Sequence, residues 1–155
     1  MKLPILLLGI FIFQGSPIYA ETEGVNRCLH TISASAGDDS WEAALEVCRE
    51  ECEQNDRKSC AVLGGAYRFG RNVEKDIMQS VKYYEKACEL NTSRTGACTE
   101  LGTIYYLGRR PDSKGVGIEA DPVKAKEYFQ KSCEFENVGK DLACEYYRKL
   151  ELLGY

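Results

Sequence analysis

The chain has 155 residues, with 20 Lys and Arg against 24 Asp and Glu, eight cysteines and one histidine. That length suits one domain better than two. The acidic balance disfavours nucleic acid or an anionic membrane as partner, and a lone histidine excludes any two-histidine metal site.

The chain opens with "MKLPILLLGIFIFQGSPIYA". Lys2 supplies a positive start, Leu3–Phe13 is almost unbrokenly apolar, and Ser16, Pro17 and Ala20 make a cleavage region before Glu21. The run is short for a membrane span and sits where a secretory signal belongs, so residues 1–20 are expected to be a cleaved signal peptide. Cleavage removes only Lys2 from the charge count and leaves 19 basic against 24 acidic residues, a net charge of −5. All eight cysteines remain, at 28, 48, 52, 60, 88, 98, 133 and 144. An even cysteine count in a small exported chain predicts four disulfides and an oxidising location, secreted or periplasmic. No membrane span is expected after cleavage.

Residues 21–39, with Cys28 and His30, are expected to form an N-terminal capping segment. From Ser40 to Tyr155 the chain repeats itself. "SWEAALEVCREEC" (40–52), "DIMQSVKYYEKAC" (76–88) and "DPVKAKEYFQKSC" (121–133) each place a cysteine twelve residues after a capping Ser or Asp. "CAVLGGAYRFG" (60–70), "CTELGTIYYLG" (98–108) and "CEYYRKLELLG" (144–154) each run from a cysteine to a glycine. The third copy is degraded, with Tyr147 and Arg148 where the others have Leu and Gly.

Both units predict helices. Ser40, Asp76 and Asp121 are expected N-caps, and Pro122 suits a first helical position. Trp41, Ala44, Leu45, Cys48 and Cys52 fall on one face, as do Ile77, Ser80, Val81, Tyr84 and Cys88. In the other unit Cys60, Leu63, Gly64 and Tyr67 share a face. Its glycine allows a neighbouring helix close, and Gly70, Gly108 and Gly154 are expected stops. The period is 38 residues from Cys60 to Cys98 and 46 from Cys98 to Cys144. Most of the difference is a seven-residue insertion within "RRPDSKGVGIEA" (109–120). The predicted fold is all-α, a short α-solenoid of antiparallel helix pairs.

The pattern "LGxxYxxG", followed by a capped helix ending "Y[YF]xK[AS]C", resembles the Sel1-like repeat. The cysteines that end one helix and open the next resemble those of the bacterial cysteine-rich Sel1-like repeat proteins. The resemblance covers about residues 40–154 and implies a TPR-like solenoid stapled by disulfides. Cys52 is then expected to pair with Cys60, Cys88 with Cys98 and Cys133 with Cys144, each closing a short loop for about 2.5–3 kcal/mol. Cys28 and Cys48 remain, and their bond would tie the capping segment to the first repeat. Without CxxC pairs, neither zinc binding nor redox chemistry suits these cysteines.

No GxSxG, HExxH, P-loop or GxGxxG motif is present, and no catalytic residue or cofactor is expected. Some cysteine-rich relatives are described as penicillin-binding or weakly β-lactam-hydrolysing, which the resemblance carries as an alternative. This chain lacks SxxK, SDN and KTG. Glu50 and Glu51 read as a solvated helix face. Tyr67, Tyr84, Tyr105 and Phe129 recur in register and read as core. Asn91-Thr92-Ser93 is a glycosylation sequon only in a eukaryotic host.

The expected function is binding of another protein or peptide, as a scaffold, assembly or immunity-type factor. Registering the copies sends Arg68, Thr103, Tyr106 and Lys149 outward from the buried stripe, as the central column of an interaction face. Arg109 and Arg110, at the start of the insertion, are expected at its edge.

Overall fold

Asp56 ends a turn in extended backbone, and its carboxylate accepts from the Ser59 N–H at 2.7 Å, which starts a helix. Asp76 accepts in the same way from Met78 and Gln79, and Asp121 from Lys124. These side chains satisfy donors that a helix N-terminus leaves unpaired. The computed structural model describes residues 27–34, 38–90, 96–110, 115–134 and 139–155. The expected signal segment, the Asn91 sequon and positions 111–114 lie outside them. Seven helices result: α1 (Arg27–Ala34), α2 (Asp38–Glu53), α3 (Arg57–Phe69), α4 (Ile77–Glu89), α5 (Ala97–Leu107), α6 (Pro122–Glu134) and α7 (Lys140–Leu152). Helix α2 begins two residues before Ser40, so Ser40 lies within the helix and is not its N-cap.

Each helix packs on its chain neighbours; beyond them, α1 touches α3, α5 touches α7, and α3 reaches α5 through Arg68 and Glu100. Nearest-neighbour packing of this kind makes a solenoid, in which each pair buries its apolar face only by stacking on the next. The expected stripes are buried: Ala44, Leu45, Cys48 and Cys52 in α2, and Ile77, Ser80, Val81, Tyr84 and Cys88 in α4. One apolar cluster runs from Cys28 to Ile104, and a second gathers Ala125, Phe129, Ala143 and Leu150. Tyr105 packs against both and joins them.

In two repeats a glycine admits an aromatic ring of the partner helix. A Cβ on Gly64 would lie 2.6 Å from the Tyr84 ring, and one on Gly102 would lie 2.6 Å from the Phe129 ring. Helices α3 and α4, and α5 and α6, therefore meet ring on backbone. Beside these contacts Tyr67 stacks on Tyr83 with centroids 5.6 Å apart, and Tyr105 stacks on Tyr128 at 5.7 Å. The four positions are equivalent in the repeat register.

The loops close alike despite the insertion. The Asp76 N–H donates to the Tyr67 carbonyl at 3.0 Å, and the Asp121 N–H to the Tyr105 carbonyl at 2.8 Å. The extra residues leave from a neck in which Arg109 and Ile118 exchange two backbone hydrogen bonds, of 2.6 and 2.9 Å. Gly108 makes the turn into that neck at φ +65°, where a Cβ would sit 3.0 Å from the Ala120 nitrogen and the Ile118 oxygen. The insertion thus extends one loop and leaves its closing hydrogen bond in place.

Candidate interaction surface

Four disulfides hold the array. Cys52–Cys60, Cys88–Cys98 and Cys133–Cys144 have Cα separations of 4.7, 5.0 and 4.8 Å, and each links the end of one helix to the start of the next. Cys28–Cys48, at 4.6 Å, fastens α1 to the middle of α2. All lie within the range a disulfide bridges without backbone movement. Glu51 adds a second fastening that the sequence reading missed. It accepts from the Arg27 and Cys28 N–H groups at 3.1 and 3.0 Å and from the Ser59 hydroxyl at 2.8 Å. It therefore caps α1 and does not stand on a solvated face. Helix periodicity gives no sign of this, because the α1 donors lie 23–24 residues away. Among the described residues no group of His, Cys, Asp and Glu could hold a metal ion.

The residues expected to form an outward column lie along the seam between successive first helices, α3, α5 and α7. Arg68 is turned inward, its side chain only 10 % exposed, and forms an ion pair with Glu100 of the next first helix. Burial pulls its guanidinium below the usual arginine value, and the Arg109 charge acts in the same direction. Its expected outward orientation is therefore corrected. Tyr106, one repeat on, makes the equivalent contact as an aromatic pair, with its ring centroid 4.9 Å from that of Tyr146. In each case the residue eight positions after one helix's cysteine meets the residue two positions after the next helix's cysteine. Lys149 is exposed, and its ammonium stands 5.6 Å from the Tyr106 centroid and 5.7 Å from the Tyr146 centroid. The half-buried Thr103 donates its hydroxyl to the Thr99 carbonyl at 2.9 Å. Arg109 is half-buried and Arg110 exposed at the insertion neck. The column is thus contiguous, but Arg68 and Tyr106 join repeats and do not stand free.

Two grooves recur at equivalent places. One, of about 520 Å³, is lined by Leu45, Arg49, Tyr67, Val73 and Asp76. The other, of about 430 Å³, is lined by Val81, Tyr105, Ile118, Asp121 and Lys124. Leu45 corresponds to Val81, Tyr67 to Tyr105 and Asp76 to Asp121. Each lies between a second helix and the loop of the following repeat. A third groove, of about 590 Å³, runs between α2 and α4 with Arg49, Lys82, Tyr83 and Lys86 on its walls. These hollows are open and mixed in charge.

A row of antiparallel helix pairs, each joined to the next by a disulfide, defines a stapled α-solenoid. The Sel1 repeat family model matches residues 57–92 and 96–134, the spans of α3–α4 and α5–α6. The chain is 30% identical to the Helicobacter pylori cysteine rich protein B over 76% of this chain and 78% of that one, with a TM-score of 0.58. It is therefore a member of the Sel1-like repeat family. A Sel1 repeat protein from Oxalobacter formigenes is 25% identical, with a TM-score of 0.49, over 60% of this chain and 35% of that chain. The chain thus spans about a third of the Oxalobacter protein's length. No curated protein matches it.

Proposed function

We propose that this chain is a non-catalytic protein-binding module that works in a secreted or periplasmic setting. Membership of the Sel1 family supports an interaction role. The observation that carries the reading is the recurrence of one groove at equivalent places in consecutive repeats. A repeated groove suits an extended or helical segment of another protein better than a small substrate, since it offers several similar subsites in a row. Four disulfides favour an oxidising compartment. Among the described residues no helix is long and apolar enough to cross a membrane. Lys149 of the expected column, with Arg109 and Arg110 at its edge, is best placed to meet a partner, whereas Arg68, Thr103 and Tyr106 would act mainly by holding the column in shape.

The test is capture of a binding protein by the immobilised, disulfide-bonded chain from its host's exported fraction. Identification of the captured protein and titration of the purified pair would follow. A saturable one-to-one complex is expected, with no turnover of β-lactams by the pure chain. Saturable β-lactam hydrolysis abolished by one point substitution, with no protein retained, would replace this reading with the enzymatic alternative.

A further inference from the structure

Single exposed apolar side chains are ordinary on protein surfaces. Here three recur in register. Phe69, Leu107 and Leu153 each stand nine residues after the cysteine that opens a first helix, and each precedes the glycine at its end. Their exposures are 57%, 60% and 62%. Folding does not call for them, since the buried stripe of each helix lies elsewhere. The seam contacts Arg68–Glu100 and Tyr106–Tyr146 set the end of one first helix against the next, at the first turn of α5 and the middle of α7. Standing at equivalent positions of successive repeats, the three helix ends follow one another along the array.

Arginine accompanies this row. Arg71 and Arg109 occupy equivalent positions two residues after Phe69 and Leu107, and Arg110 follows. The Arg71 guanidinium lies 5.2 Å from the Phe69 ring centroid, and the Arg68 guanidinium approaches the same ring at 5.2 Å. The ion pairs Arg27–Glu50, Arg49–Glu46 and Arg68–Glu100 do not engage Arg71, Arg109 or Arg110. A chain of net charge −4 thus places arginines beside two of its three repeated apolar side chains, Phe69 and Leu107. Aromatic and arginine residues together make up the usual anchors of protein interfaces.

We propose that this edge, formed by Phe69, Leu107 and Leu153 with Arg71, Arg109 and Arg110, docks an acidic segment of a partner protein in which Leu- or Phe-type side chains alternate with Asp or Glu. The proposal rests on the protein-binding reading above and names the partner's chemistry. Charge complementarity selects this occupant. In a two-fold contact between copies of this chain the arginine row would face itself, and like charges oppose that. A membrane surface would favour a continuous apolar band over one side chain per repeat.

The test pans a random 12-residue peptide display library on the disulfide-bonded protein and measures selected synthetic peptides by fluorescence anisotropy. Enriched peptides should combine Asp or Glu with Leu, Phe or Trp, and their affinity should fall as sodium chloride rises. Phe69→Ser with Leu107→Ser, and separately Arg71→Glu with Arg109→Glu, should each weaken binding by at least about tenfold at unchanged melting temperature. Selected peptides that bind both variants as they bind the wild type would overturn the edge and leave the protein-binding reading standing. So would a wild-type dimer, or adsorption to phosphatidylglycerol vesicles, that is lost in the same variants. A library yielding no binder also overturns the edge, and capture from the exported fraction then decides separately whether the broader reading survives.

Discussion

Gly64 and Gly65 are adjacent in α3, yet alanine should have opposite effects at the two positions. A Cβ on Gly64 would meet Tyr84 Cδ1 at 2.6 Å and Cε1 and Cγ at 2.8 Å. Carbon atoms prefer about 3.5–4 Å, so the overlap approaches 1 Å. Tyr84 is only 5% exposed, and Cγ is the root of its ring, so the ring has no room to swing aside. Helix α4 would have to move, but Cys88–Cys98 and the Ser80 hydroxyl on the Gly64 carbonyl, at 2.8 Å, hold it. Overpacking of this kind costs about 3 kcal/mol, less about 1 kcal/mol recovered by replacing a helical glycine, for a net loss of about 2 kcal/mol. At Gly65 the nearest atom is the Tyr84 hydroxyl oxygen at 3.5 Å, an ordinary contact, so the helix gain of about 0.5–1 kcal/mol survives. Thermal unfolding with disulfides intact should separate the two variants by roughly 10 °C. Replacing Tyr84 with Leu should remove most of the Gly64→Ala penalty, a coupling of about 1 kcal/mol or more. If Gly64→Ala proves as stable as Gly65→Ala, ring-on-glycine contact does not set the repeat's spacing.

Two further outcomes are expected. Cys28→Ser with Cys48→Ser should cost about 3.3 kcal/mol by loop entropy, against about 2.5–2.8 kcal/mol for each shorter staple, because its sequence separation is 20 and theirs are 8, 10 and 11; denaturant titration checks the order, and equal or reversed costs would contradict it. Burial, reinforced by the charge of Glu85 and the 3.0 Å hydrogen bond to it, raises Tyr128 above the ordinary tyrosine value, and burial moves Tyr83, Tyr84 and Tyr105 the same way. These phenols stay protonated in the fold where the unfolded chain would ionise, so their contribution is complete below about pH 10 and is lost as pH rises beyond it. Ultraviolet titration should show a tyrosine subset ionising late, with Glu85→Gln bringing Tyr128 down; ionisation of all the tyrosines together near pH 10 in the intact fold would refute the assignment.

The sequence by itself determined the six repeat helices α2–α7, their order and the inward stripes of α2, α3 and α4, but not that the capping segment is helical over Arg27–Ala34. Cysteines and glycines in fixed register mark where helices begin and end, and Asp76 and Asp121 announce their caps by local chemistry. Contacts within one helix or across one short turn leave a local trace, so these features could be read from neighbouring residues alone. Only the tertiary structure decided what the remaining faces do. One helix's periodicity separates a buried stripe from everything else, but a first helix in a solenoid meets its own partner and also the first helix of the next repeat. That second contact turned Arg68 inward onto Glu100 and placed Tyr106 against Tyr146. Glu51 became a cap for α1, and Arg109 joined Ile118 to close the insertion neck, through backbone partners 23–24 and nine residues away. No local pattern encodes such pairings, because they depend on where the stacked helices bring distant backbone together.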